Sequence, residues 1–85
     1  MKYTAKVEEY ATESPSYIRT IVFAANDMEQ LETLLDKYAD YGLGEGIEVD
    51  DSLMPKRFNE SGGFASKLIS FTDETGKDFS SIWNM

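Results

Sequence analysis

From Asn26 to Gly42 the chain reads NDMEQLETLLDKYADYG, and its apolar positions recur at helical spacing. At 100° per residue, Met28, Leu31, Leu34, Leu35, Tyr38, Ala39 and Tyr41 fall in an arc of about 160°. Glu29, Glu32, Asp36 and Asp40 fall in an arc of about 80° on the other side. Neither Gly nor Pro interrupts the run, so propensity agrees with pattern. Asn26 is placed to cap the N-terminus, with Glu29 three residues on as a capping-box partner. Gly42 follows the last periodic residue, where a left-handed C-cap belongs. The stretch therefore predicts an amphipathic helix that must bury one side.

The flanking segments change period from 3.6 to 2. Residues 2–10 (KYTAKVEEY) alternate, with Tyr3, Ala5 and Val7 on one side and Lys2, Thr4, Lys6 and Glu8 on the other. Residues 17–24 (YIRTIVFA) carry the strongest strand signal, and both of their faces are partly apolar, which predicts a central strand. Pro15 and its polar neighbours form the turn between these two strands, an antiparallel hairpin. After the helix, Ile47-Glu48-Val49 is a short candidate strand. Residues 50–63 (DDSLMPKRFNESGG) lack periodicity and read as a long loop, with Leu53, Met54 and Phe58 tucking loosely onto the core. Residues 64–72 (FASKLISFT) read as a strand and residues 73–77 (DETGK) as a turn. Residues 78–83 (DFSSIW) read as a returning strand whose Phe79 and Trp83 would face Ile69 and Phe71. The order is ββα(β)ββ: an α+β two-layer sandwich, an antiparallel sheet of about four strands with one amphipathic helix on one face.

With 85 residues the chain is one domain. At 41% hydrophobic and 13% aromatic it has the material for a folded core, unlike a disordered acidic tail. It contains no cysteine and no histidine. Disulfides, thiolate chemistry, the usual zinc sites, Ser-His and Cys-His catalysis and histidine switching are therefore excluded. No apolar run approaches the length of a membrane span and no signal-peptide core opens the chain, so the expected setting is the cytoplasm.

Charge sharpens the picture. The net charge is −8. Residues 26–51 hold nine acids and one base, Lys37, while the rest of the chain holds seven of each. The whole imbalance lies on the helix and the segment after it. Such a region repels phosphate, which argues against direct binding of nucleic acid or an anionic membrane, and it complements a basic protein surface.

Several patterns bear on chemistry. Gly42-Leu43-Gly44-Glu45-Gly46 follows a helix instead of opening one, and no P-loop Lys-Ser/Thr completes it, so it reads as capping and turn geometry. Glu48, Asp50, Asp51 and Ser52 do not match the twelve-residue calcium loop, and no metal or cofactor is expected. Without histidine, and with little room for a cleft that would shift carboxylate pKa values, the chain reads as a binding protein and not an enzyme.

The candidate partner-binding residues are Glu29, Glu32, Asp36 and Asp40 on the helix, Glu45, Glu48, Asp50 and Asp51 extending the row, and Tyr17 and Trp83 as aromatic anchors. Carboxylates at steps of about 6 Å along a rod imitate a row of phosphates. In size and composition the chain resembles, in type only, the small acidic inhibitors with which phages and mobile elements block nucleic-acid-binding enzymes; no family motif accompanies the likeness. The alternative is a structural or oligomerisation module, a homodimer held by a sheet edge or by exposed aromatics, with an acidic helix that serves solubility.

Overall fold

The computed structural model describes residues 1–83. Four strands, β1 (Lys2–Ala11), β2 (Ser14–Ala24), β3 (Ile47–Asp50) and β4 (Ala65–Asp73), form one antiparallel sheet in the order β3-β2-β1-β4. The helix α1 (Met28–Tyr41) crosses one face. β1 and β2 pair from Lys2↔Ala24 to Glu9↔Tyr17, and β2 is interior, as its two partly apolar faces predict. Strand alternation sends Tyr3, Ala5, Val7, Tyr17, Ile21, Phe23, Ile47 and Phe71 to the inner face, where all are buried. Phe23, Phe71, Ile21 and Leu31 lose essentially all contact with water. Each such burial contributes roughly 1.5–3 kcal/mol.

α1 begins one residue later than the capping-box spacing implies. Asp27, not Asn26, is the N-cap, and its carboxylate accepts the Gln30 N–H at 2.8 Å. Gln30, not Glu29, reaches back from the first turn, but its side-chain oxygen accepts the Asn26 N–H at 2.8 Å, one residue before the cap. The reciprocal bond of a capping box is therefore replaced by one to the preceding residue. Gly42 ends the helix at φ 75°, and its N–H bonds to the Tyr38 carbonyl. The buried stripe is narrower than the apolar arc. Leu31, Leu34 and Leu35 are buried and Tyr38 is half-buried, a span of about 100°. Met28, Ala39 and Tyr41 lie at the margins of the arc and are exposed, Tyr41 by 79%.

Two segments depart from expectation. Residues 78–83 do not form a strand. They make one isolated bridge, Thr72↔Asp78, and then turn into a 3₁₀ helix, Ser80–Ile82. The Asp78 carboxylate accepts both the Ser80 N–H and the Ser80 hydroxyl, which bends the chain where a strand would continue. The bend lets the successive residues Ile82 and Trp83 both pack on the core, an arrangement that strand alternation forbids. Ile69 does not join them. β4 carries a bulge in which Lys6 pairs with Ser70 and Val7 with Leu68, so Ile69 is the extra residue and turns to the opposite face.

The segment between β3 and β4 is also tighter than a loose loop. Phe58 opens a 3₁₀ turn, Phe58–Glu60, and is buried edge-on against Tyr17 with ring centroids 4.9 Å apart. The Thr12 N–H donates to the Gly62 carbonyl at 2.9 Å and ties the segment to the β1–β2 turn. Gly63 follows at φ 67°, where a Cβ would be strained and would meet the Thr12 methyl at 2.9 Å, so a side chain there would displace the Thr12 side chain beside the tie. The inner face therefore has two covers: α1 over the Phe23 end and residues 54–64, through Phe58, over the Tyr17 end.

Candidate functional site

Helical geometry puts Glu29, Glu32, Asp36 and Asp40 together on the solvent side of α1, and all four are exposed. The ion pairs among the described residues are Arg19–Glu9 and Arg57–Glu60, and neither takes an acid from α1. The last turn holds no base. Asp40 instead sets a negative charge beside the unsatisfied carbonyls at the negative end of the helix dipole, which disfavours it by a few tenths of a kcal/mol at an exposed site. Helix stability thus accounts for Asp27 and Glu29 near the N-terminus but not for Asp40.

The remaining acids do not prolong this row. Glu45 lies past the C-cap, where it borders a shallow depression with Lys37, Thr33 and Gly46. Ile47 and Val49 point toward the core, so alternation turns Glu48 and Asp50 to the outer face of the sheet, away from α1. There they pair in register with Val22 and Thr20. The Asp50 carboxylate accepts the Ser52 N–H at 3.0 Å, and the Ser52 backbone and hydroxyl hold it below the usual carboxylate range. Asp51 is exposed at the end of β3. The eight acids that are continuous in sequence are therefore divided between opposite sides of the domain.

Of the two proposed aromatic anchors, Tyr17 is buried and Trp83 is half-buried. Tyr17 is 5% exposed beneath Phe58, and its hydroxyl accepts a hydrogen bond from Arg19. Burial pushes its pKa up, and the neighbouring guanidinium opposes that shift. Trp83 is half-buried against Phe71, Phe23 and Tyr38, with ring centroids 5.3, 6.2 and 6.1 Å away. Both residues brace the core, because the bend at Asp78 and the turn at Phe58 bring apolar partners to them.

The outer face of the sheet holds a feature that sequence reasoning did not single out. A depression of about 530 Å³ has Ile18 and Thr20 as its floor. Asp50 and Leu53 form one wall, and Lys6 and Ile69 the other. Its signal in the sequence is the apolar second side of β2, Ile18-Thr20-Val22. The bulge that delivers Ile69 has no such signal.

No helix among the described residues is long and apolar enough to cross a membrane. No family model, curated protein or solved structure matches the chain.

Proposed function

We propose that this is a cytoplasmic, non-catalytic binding protein whose acidic helix face occupies a basic surface on a partner protein, of the kind that otherwise holds nucleic acid. The reading is supported above all by Asp40. It is exposed, takes part in neither ion pair among the described residues, and sits where the dipole disfavours an acid. With Glu29, Glu32 and Asp36 it makes a rigid row of carboxylates that rises about 4.5 Å and then about 6 Å per step along the axis. A basic groove would exchange its counterions or phosphates for that row, as an inhibitor acting by phosphate mimicry does. The role rests chiefly on the four helix acids, since Glu48 and Asp50 face the other way.

The test is capture from the native host's lysate, comparing the wild type with Asp36→Lys/Asp40→Lys. The expected result is a nucleic-acid-binding protein that the wild type retains at low salt and releases at high salt. The doubly reversed variant, with an unchanged circular dichroism spectrum, does not retain it. Equal retention by both proteins overturns the reading.

A further inference from the structure

The outer face of the sheet is left bare by a fold that places both of its covers on the inner face. Ile18, Thr20 and Val22 of β2 are half-buried there, Leu53 is 70% exposed and Ile69 is 52% exposed. The charges on this face are sorted across the strands. Glu48 and Asp50 stand on the β3 edge, whereas Lys2 and Lys6 stand on β1 and Lys67 on β4. Glu8 also stands on the basic side, where the Tyr10 and Ser16 hydroxyls donate to its carboxylate and keep it ionised, so that side holds three lysines against one acid. From one edge to the other the face runs acidic, apolar, basic. The strand register puts Asp50, Thr20, Lys6 and Ser70 in one row across the sheet.

A face with that order complements a second copy of itself in one orientation. A two-fold axis along β2 lays β2 on β2, so that Ile18, Thr20 and Val22 meet their own copies. The same operation lays β3 over the other copy's β1. Because Asp50, Thr20 and Lys6 share a row, Asp50 of each copy then stands opposite Lys6 of the other, in two equivalent pairs. Leu53, which lines the depression beside Asp50, is carried toward the side of the other copy that holds Ile69. An axis across the strands would instead bring Glu48 and Asp50 onto their own copies, and repulsion disfavours it. Sheets stacked face to face at about 10 Å accommodate side chains of this size.

We propose that the protein is a homodimer joined through the outer faces of its two sheets, with Asp50–Lys6 pairs setting the orientation. The interface is isologous and closed. It leaves the two α1 helices on opposite outer sides, each with its acids facing solvent.

Sedimentation equilibrium from micromolar to about millimolar protein tests this. The wild type is expected to show a monomer–dimer equilibrium. Leu53→Asp, at a site too exposed to affect folding, is expected to give a monomer. Lys6→Glu and Asp50→Lys are each expected to weaken the dimer about tenfold or more, and the combined swap to restore it. Circular dichroism confirms that each variant is folded. A wild type that stays monomeric throughout, a dimer that survives Leu53→Asp, or a charge swap that fails to restore association overturns the proposal.

Discussion

The Arg19 guanidinium donates to the Tyr17 hydroxyl across 2.9 Å, and its other terminal nitrogen lies 3.5 Å from the Glu9 carboxylate. This cation sits at the seam between the two covers of the inner face, with Tyr38 of α1 on one side and Tyr17 beneath Phe58 on the other. Burial pulls its pKa down, but the Tyr38 and Tyr17 hydroxyls outweigh burial and the net shift is upward. The side chains of Arg19 and Glu9 are only 26% and 17% exposed, so the pair is desolvated enough to matter. Arg19→Ala leaves Glu9 without its partner and is expected to cost about 2 kcal/mol, less than a fully buried pair would. Arg19→Met combined with Glu9→Gln should cost less than Arg19→Ala alone, as urea unfolding midpoints will show.

Phe58 fastens the second cover. Phe58→Ala removes a buried ring from Tyr17 and is expected to destabilise the protein by about 3–4 kcal/mol. Because the segment is otherwise held mainly by the Thr12–Gly62 tie, the loss should be partly local. Limited proteolysis is expected to cut between residues 51 and 64 in the variant well before it cuts the wild type.

The turn after β4 makes stability depend on acid pH. The Asp73 carboxylate accepts the Thr75 hydroxyl and the N–H groups of Thr75 and Lys77, at 2.6, 2.8 and 3.1 Å. The Thr75 hydroxyl foremost, with those N–H groups, holds Asp73 below the usual carboxylate range. A carboxyl lowered in the folded state contributes stability that is complete above its unfolded pKa of about 3.9 and is lost as pH falls through its folded value. Urea midpoints should therefore be flat in this respect down to about pH 4 and decline below it. Asp73→Asn is expected to make the decline shallower without abolishing it, since Asp50 and Asp78 are lowered too.

The elements whose signal is local were legible in the sequence. β1, β2, β3 and β4 lie within a few residues of their predicted bounds, and the helix within two, because alternation and helical period are properties of neighbouring residues. The N-cap missed by one because Asn26 and Asp27 are both good caps, and only the Gln30 bond decides between them. The last predicted strand failed for a reason of the same kind: Asp78 can bond its own backbone two residues on, and that bond competes with a ladder. The division of the acids was not legible from charge alone. It follows from which side of the sheet α1 covers, and the odd and even positions of β3 then decide where Glu48 and Asp50 point. Tyr17 looked available because its partner, Phe58, comes from a segment without periodicity.

The place of β1 in the strand order also governs how the domain can assemble. Its neighbour β2 is next in the chain and closes through a short turn, so that pairing forms at small loop-closure cost. Its other neighbour, β4, arrives only after the helix, β3 and the whole second cover have been made. Until then the inner hairpin carries an open edge along Tyr3 to Tyr10, where another chain's strand could add. Closing that edge is a long-range step, slow by comparison with the hairpin, and it completes the sheet only once residues near the end of the chain are free to reach the beginning.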